Sequence, residues 1–235
     1  VYPELDPARV RTIRNGVDLE RWRPRRDPAV LAAHGIDPDR PSVVFVGRIT
    51  RQKGLPYLLR AARLLPPEVQ LVLCAGAPDT PEILAEVEAG DAELRTERDG
   101  VVWIREHLPS EQLSAVLTAA TVFVCPSVYE PLGIVNQEAM ACETAVVGTA
   151  TGGIPEVVED GVTARLVRIE QRDDGTGDPT DPERFVADLA ATIAEVVVDP
   201  EAARRMGRAG RARAEREFSW AAIADAARAL YASLL

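Results

Sequence analysis

Short runs, apolar nearly throughout, alternate with helical patterns along most of this chain. No other feature narrows its fold as far. The runs fall at residues 43–46, 70–75, 101–104, 121–125 and 145–148, with a last candidate at 163–167. None shows the apolar–polar alternation of a half-exposed strand. A strand that is apolar on both sides is covered on both faces, as in a parallel sheet flanked by helices. Helical patterns follow at about 55–65, 81–94, 110–120 and 134–142, with a short one near 155–158. Ser110 is placed to cap the third of these. Such alternation predicts a right-handed, doubly wound, Rossmann-like α/β fold with a parallel sheet. Residues 168–182, rich in Asp, Gly, Thr and Pro, read as a loop. Helical patterns at about 182–197, 200–217 and 219–234 add extra C-terminal helices, in a composition rich in helix formers.

Charge limits the partners. The 235 residues carry a formal net charge of −10, which argues against broad attraction to nucleic acid or anionic lipid. An anionic ligand needs a local basic site set against that background. Cys74, Cys125 and Cys142 are odd in number and lie in or beside apolar runs, as reduced core cysteines of a cytoplasmic protein do. No apolar stretch approaches the roughly 20 residues of a membrane span, and no signal-peptide pattern is present. The chain starts at Val1, and its first residues read as a connector, as expected of the C-terminal part of a longer protein. The expected division is a connector at 1–18, a ligand-binding domain at 19–216 and a final helix at 217–235. His34 and His107 read as surface residues, and neither is given a role.

In sheets of this kind ligands bind beyond the carboxyl ends of the strands, so the residues after each strand carry the functional signal. After the first run come Gly47 and Arg48, then Arg51, Lys53 and Gly54, leading into a helix. Guanidinium forks, a mobile ammonium and a helix N-terminus suit a diphosphate, and a solvated basic loop is an equally good reading. The segment is neither a Walker loop nor a dinucleotide fingerprint. After residues 121–125, Pro131 holds Glu130 in extended backbone, and a helix starts near Gly133 or Ile134. Glu138 lies one turn in and points toward the same mouth. Carboxylates at both sides of an anion-accepting helix end suit a ligand with central phosphates and hydroxyls at either end. An ordinary surface acid and a loop charge also account for them. After 145–148, Gly152 and Gly153 either present amides to a ligand or make a structural turn.

Taken in order, these residues resemble the C-terminal domain of the GT-B fold retaining glycosyltransferases, the glycogen/starch synthase-like family. The resemblance is carried by Gly47-Arg48-Ile49-Thr50-Arg51-Gln52-Lys53-Gly54, by Glu130 and Glu138 with seven residues between them, and by Thr151-Gly152-Gly153-Ile154-Pro155-Glu156. Arg14-Asn15-Gly16-Val17-Asp18 looks like the family's lead-in to this domain. The resemblance spans nearly the whole chain. It implies that Arg48 and Lys53 hold the donor diphosphate and offset charge on the leaving group, with no metal or cofactor demanded. It implies that Glu130 faces the sugar hydroxyls and Glu138 the ribose. Amides from Leu132, Gly133, Ile134 and Val135 would meet sugar and phosphate, and the base would lie along Ile104 to Leu108. The implied substrate is ADP-glucose or UDP-glucose. The implied acceptor is an α-glucan or a sugar phosphate, held mostly by an N-terminal domain of the same full-length chain. The final helix would then cross toward that domain, so Trp220, Ile223, Leu230 and Tyr231 either expose an apolar stripe or pack in the core.

Departures are local. Glu143 stands where the family pattern has glycine, Ala164 stands where a Gly-Val-Thr-Gly run would end, and Gln137 is polar where an apolar residue is common. None removes a ligand group. Nothing resembles the close carboxylate pair of a retaining hydrolase. Two other readings stay open on the sequence, a non-catalytic α/β binding domain and a GT-B-shaped nucleotide-sugar epimerase.

Overall fold

The structure is a computed structural model that describes Asp6 and residues 10–234. Most of the expected connector therefore lies outside the described residues. The strands are β1 (Ser42–Arg48), β2 (Gln70–Gly76), β3 (Val101–Ile104), β4 (Val122–Cys125), β5 (Ala145–Thr149) and β6 (Ala164–Val167). They form one parallel sheet in the order β3-β2-β1-β4-β5-β6. The helices are α1 (Pro28–Ala33), α2 (Leu55–Ala62), α3 (Pro81–Glu97), α4 (Ser110–Ala119) and α5 (Ile134–Ala141). They continue with α6 (Ile154–Val157), α7 (Pro182–Val197), α8 (Pro200–Arg213) and α9 (Trp220–Ala232). The doubly wound α/β reading holds.

Adjacent strand residues point to opposite faces, and the two faces have separate cores. Val43 and Phe45 of β1 join Leu71, Leu73, Val122 and Val124 beneath α2, α3 and α7. Val44 joins Val72, Phe123 and Val146 beneath α1, α4, α5 and α6. Both halves of each apolar run are thus used, which is why the runs do not alternate. Cys74, Cys125 and Cys142 are buried free thiols. No helix among the described residues is long and apolar enough to cross a membrane.

Several local expectations change. Ser110 is the first residue of α4 rather than its cap; Pro109 holds the cap position without a side-chain bond. The helix expected to run to residue 217 leaves α geometry after Arg213 and widens into a π turn at Ala214–Phe218, which buries both Ala214 and Phe218. The 168–182 loop is tied down by a bridge between Gln171 and Pro179, and Gln171 Nε2 donates to Val128 O at 2.5 Å. His34 is not on the open surface but partly buried, with Glu106 3.8 Å away. No residue of α9 is buried; Trp220 and Tyr231 are exposed and Ile223 and Leu230 are intermediate.

Candidate active site

The strand order reverses between β1 and β4, the place where a doubly wound sheet opens a crevice. The loop after β1 is built to project Lys53 there. The Thr50 hydroxyl accepts from the Lys53 amide at 3.2 Å and caps a single 3-10 turn over Arg51–Lys53. Gly54 follows at φ +68, where a side chain would run into the Pro126 carbonyl oxygen. The start of α2 is therefore packed against the β4 loop rather than opened to a ligand. Lys53 Nζ donates to Glu130 Oε2 at 2.6 Å, and both side chains are largely withdrawn from solvent.

The loop after β4 is equally constrained. The buried Ser127 hydroxyl donates to the same Glu130 Oε2 at 3.4 Å. Lys53 and Ser127 thus share one carboxylate oxygen. The Glu130 backbone is seated by the β5–α6 loop. Gly153 N donates to Glu130 O at 2.7 Å, and a Cβ on Gly152 would collide with that same oxygen. Close backbone packing accounts for both glycines, and the Gly153 amide is already engaged. Gly133, at φ +86, is the N-cap of α5, and the helix start has no side-chain cap. Ile134 is exposed, and Leu132 is half-buried against the core. Asn136 is fully buried beside Gly133, with neither amide atom partnered.

Beside this centre is a cavity of about 590 Å³. Of the expected ligand residues, Gly47, Arg48, Val135 and Glu138 line it. A Cβ on Gly47 would lie 3.8 Å from Lys53 Cδ, so the cavity and the Lys53–Glu130 pair adjoin. Arg48 Nη1 donates to Asp79 Oδ1 at 2.7 Å, with both side chains about half exposed. Burial pushes the Glu138 carboxyl up to about 7, opposed by the charge of Arg21. Ile104 does not line the cavity; its side chain is buried in the core, and Arg105, Glu106, His107 and Leu108 form that wall instead.

Sequence reasoning missed Arg21, Trp22 and Ala77, which also line the cavity. Ala77 adopts φ +46, a left-handed conformation rare outside glycine, at the end of β2. No sequence signal marks it. Asp18 ahead of Arg21 is a turn former, and it was a usable signal for a fixed lead-in. The arrangement brings Arg21, Arg48, Arg105 and Lys53 together in an acidic chain, with the carboxylates of Glu130 and Glu138 beside them.

A protein-family model described as glycosyl transferases group 1 matches residues 28–213. Alpha-maltose-1-phosphate synthase of Mycobacterium tuberculosis is 56% identical over 228 residues, which are 96% of this chain and 57% of that protein. Among solved structures, sucrose-phosphate synthase from Thermosynechococcus elongatus is 32% identical with a TM-score of 0.76, over 95% of this chain and 52% of that one. HepE of Anabaena, solved with UDP and glucose, has a TM-score of 0.75 at 23% identity, over 94% of this chain and 56% of that one, a likeness of fold. The chain spans a little over half the length of the curated relatives it matches.

Proposed function

This chain belongs to the group 1 glycosyl transferases, and from that premise we propose that it is the donor-binding half of a retaining glucosyltransferase. The donor is a nucleoside-diphosphate glucose, ADP-glucose or UDP-glucose. The acceptor is a sugar phosphate in preference to an α-glucan; the products in the names of the 56% and 32% identical relatives support that choice. The acceptor is held mainly by a domain that precedes this one in the full-length protein. The greater length of the relatives supports that part of the reading.

In this reading the nucleotide occupies the cavity and its ribose hydroxyls donate to Glu138. The diphosphate lies between Arg48, Lys53 and the uncapped start of α5. The glucose sits at Glu130, whose Oε2 is held by Lys53 and Ser127 while Oε1 accepts from a sugar hydroxyl. Negative charge grows on the leaving diphosphate as the glycosidic bond breaks, and Arg48 and Lys53 offset it without a metal ion. The acceptor hydroxyl attacks from the leaving-group side, so the anomeric configuration is kept.

The observation that carries the proposal is the Lys53–Glu130 pair at the sheet's reversal point, beside a cavity holding Arg48 and Glu138. Calorimetric titration with ADP-glucose and UDP-glucose tests it. One nucleotide sugar binds preferentially, and Lys53→Ala and Glu138→Ala each weaken it by about tenfold or more. A folded chain that binds neither, alone or within the full-length protein, refutes the donor-domain reading.

A further inference from the structure

The segment leading into the sheet, from the end of the expected connector at 17–18 through Trp22, is fastened to the body at several points. Asp18 Oδ1 accepts from the amides of Glu20 and Arg21 at 3.0 and 3.1 Å, and Trp22 N donates to Asp18 O at 2.8 Å. Arg211 of α8 donates to Trp22 O at 3.0 Å and to Ala141 O, at the end of α5, at 2.8 Å. Val17 N donates to Phe218 O at 2.7 Å. These bonds fix Arg21 and Trp22 on the wall of the cavity that also holds Glu138.

Arg21 differs from the other arginines there. Arg48 is occupied by Asp79 at 2.7 Å and Arg105 by Glu88 at 2.6 Å. Arg21 makes no salt bridge among the described residues, and its charge acts on Glu138. A buried carboxyl needs such a charge to ionise in a site that must stay dry enough to hold a ligand. Only the ionised form offers both oxygens as acceptors to a ribose diol; a protonated carboxyl turns one oxygen into a donor.

We propose, on the strength of the donor-domain reading above, that Arg21 is the counter-charge of Glu138. It keeps the carboxyl in its hydroxyl-accepting form and so sets the lower pH limit for nucleotide-sugar binding. Arg21 is a positioning residue acting through Glu138. The other charged or titratable groups around Glu138 are Arg48 from β1 and Arg105, Glu106 and His107 from the β3–α4 loop. Behind it lie Cys142, whose thiol burial pushes up to about 12, and Arg211. The other two cavity arginines are paired with acids, Arg48 with Asp79 and Arg105 with Glu88. The comparison is made in a His107→Gln background, which leaves Glu138 as the group that is read.

The test titrates ADP-glucose and UDP-glucose into this protein and its Arg21→Gln and Arg21→Lys forms from pH 6 to 8.5. Nucleotide sugars suit the purpose because their diphosphate is esterified at both ends, which leaves one strongly acidic hydroxyl on each phosphorus and no proton to lose in that range. Arg21→Gln moves the binding midpoint up by about half to one pH unit, which is roughly a fivefold loss at pH 6.5 and less than twofold at pH 8.5. Arg21→Lys restores most of the difference. The Glu138 carboxyl is followed in parallel by carbon NMR without ligand, and its titration moves with the same substitutions. Equal binding midpoints with an unmoved Glu138 titration overturn the proposal. If no nucleotide sugar binds at any pH, the donor-domain reading fails, and the NMR titration still decides whether Arg21 controls Glu138.

Discussion

Lys53 and Glu130 come from loops 77 residues apart and meet at 2.6 Å with little solvent around them. Removing one partner of such a pair leaves a charge without its counter-ion in a poorly solvated place. Lys53→Ala is therefore expected to lower the unfolding free energy by about 2–4 kcal/mol, read from urea midpoints. The double variant Lys53→Met with Glu130→Gln recovers much of that loss and binds no donor. Recovery of stability without recovery of binding separates a ligand-holding pair from a structural one. Glu138 carries the opposite sign. Its folded-state value is raised, so the native chain holds a proton that the unfolded chain has lost. That contribution favours the fold in acid, is fully present below about pH 5, and is lost as pH rises through about 7. Glu138→Gln removes the burden of an ionised buried acid. At pH 8 the variant is more stable than its parent by on the order of 1–3 kcal/mol, and below pH 5 the difference vanishes. Its nucleotide affinity falls over the same range. Urea denaturation at pH 5 and 8 checks the first part; equal stabilities at pH 8 would show that Glu138 is not held against its solvation preference.

The end of α5 shows how one element's geometry depends on another's. Thr144 N bonds to Ala139 O and Glu143 N to Met140 O, both at 3.0 Å, which closes the helix with a Schellman turn. That turn needs a left-handed residue, and Glu143 supplies it at φ +61. The family pattern has glycine there. Glu143→Gly is expected to raise stability by about 1 kcal/mol, a gain of roughly 2–4 °C in melting temperature, with donor binding unchanged. Gly207 of α8 is the control, because a Cβ on it would meet the Glu143 carbonyl oxygen. Gly207→Ala forces α8 away from the turn and lowers the melting temperature. At this scale the sequence was most legible. Every strand, and every helix except the short α1 at Pro28–Ala33, shows in its apolar period, because period follows from which faces are covered. Ends were less legible. Pro109 displaces Ser110 from the cap by fixing the backbone one residue earlier, and the π turn after Arg213 arises from burying Phe218, a tertiary demand. The loops after β1, β4 and β5 were legible as residue types in order. The Lys53–Glu130 pair and the meeting of Arg21 and Glu138 on one cavity were not, because each joins segments far apart in the chain.

Across the whole molecule, the charged groups of the site gather around one cavity, and the proposed reading assigns Arg48, Lys53, Glu130 and Glu138 to the donor. This reading assigns no side chain to orient an acceptor hydroxyl against the glycosidic carbon. Positioning of the second reactant supplies a large share of the rate in a two-substrate transfer. Donor binding without acceptor positioning leaves that share unused. The helix α9, with Trp220 and Tyr231 exposed and none of its residues buried, offers an apolar face on which a further domain can rest. These observations give a joint expectation. The chain alone binds nucleotide-diphosphate glucose. It transfers glucose to a sugar phosphate at least about a hundredfold more slowly than the full-length protein, through lost acceptor positioning. Product formation from radiolabelled donor, measured at matched donor occupancy, checks the rate difference. Rapid transfer by this chain alone would mean that the acceptor is bound here, and that the exposed face of α9 serves another purpose.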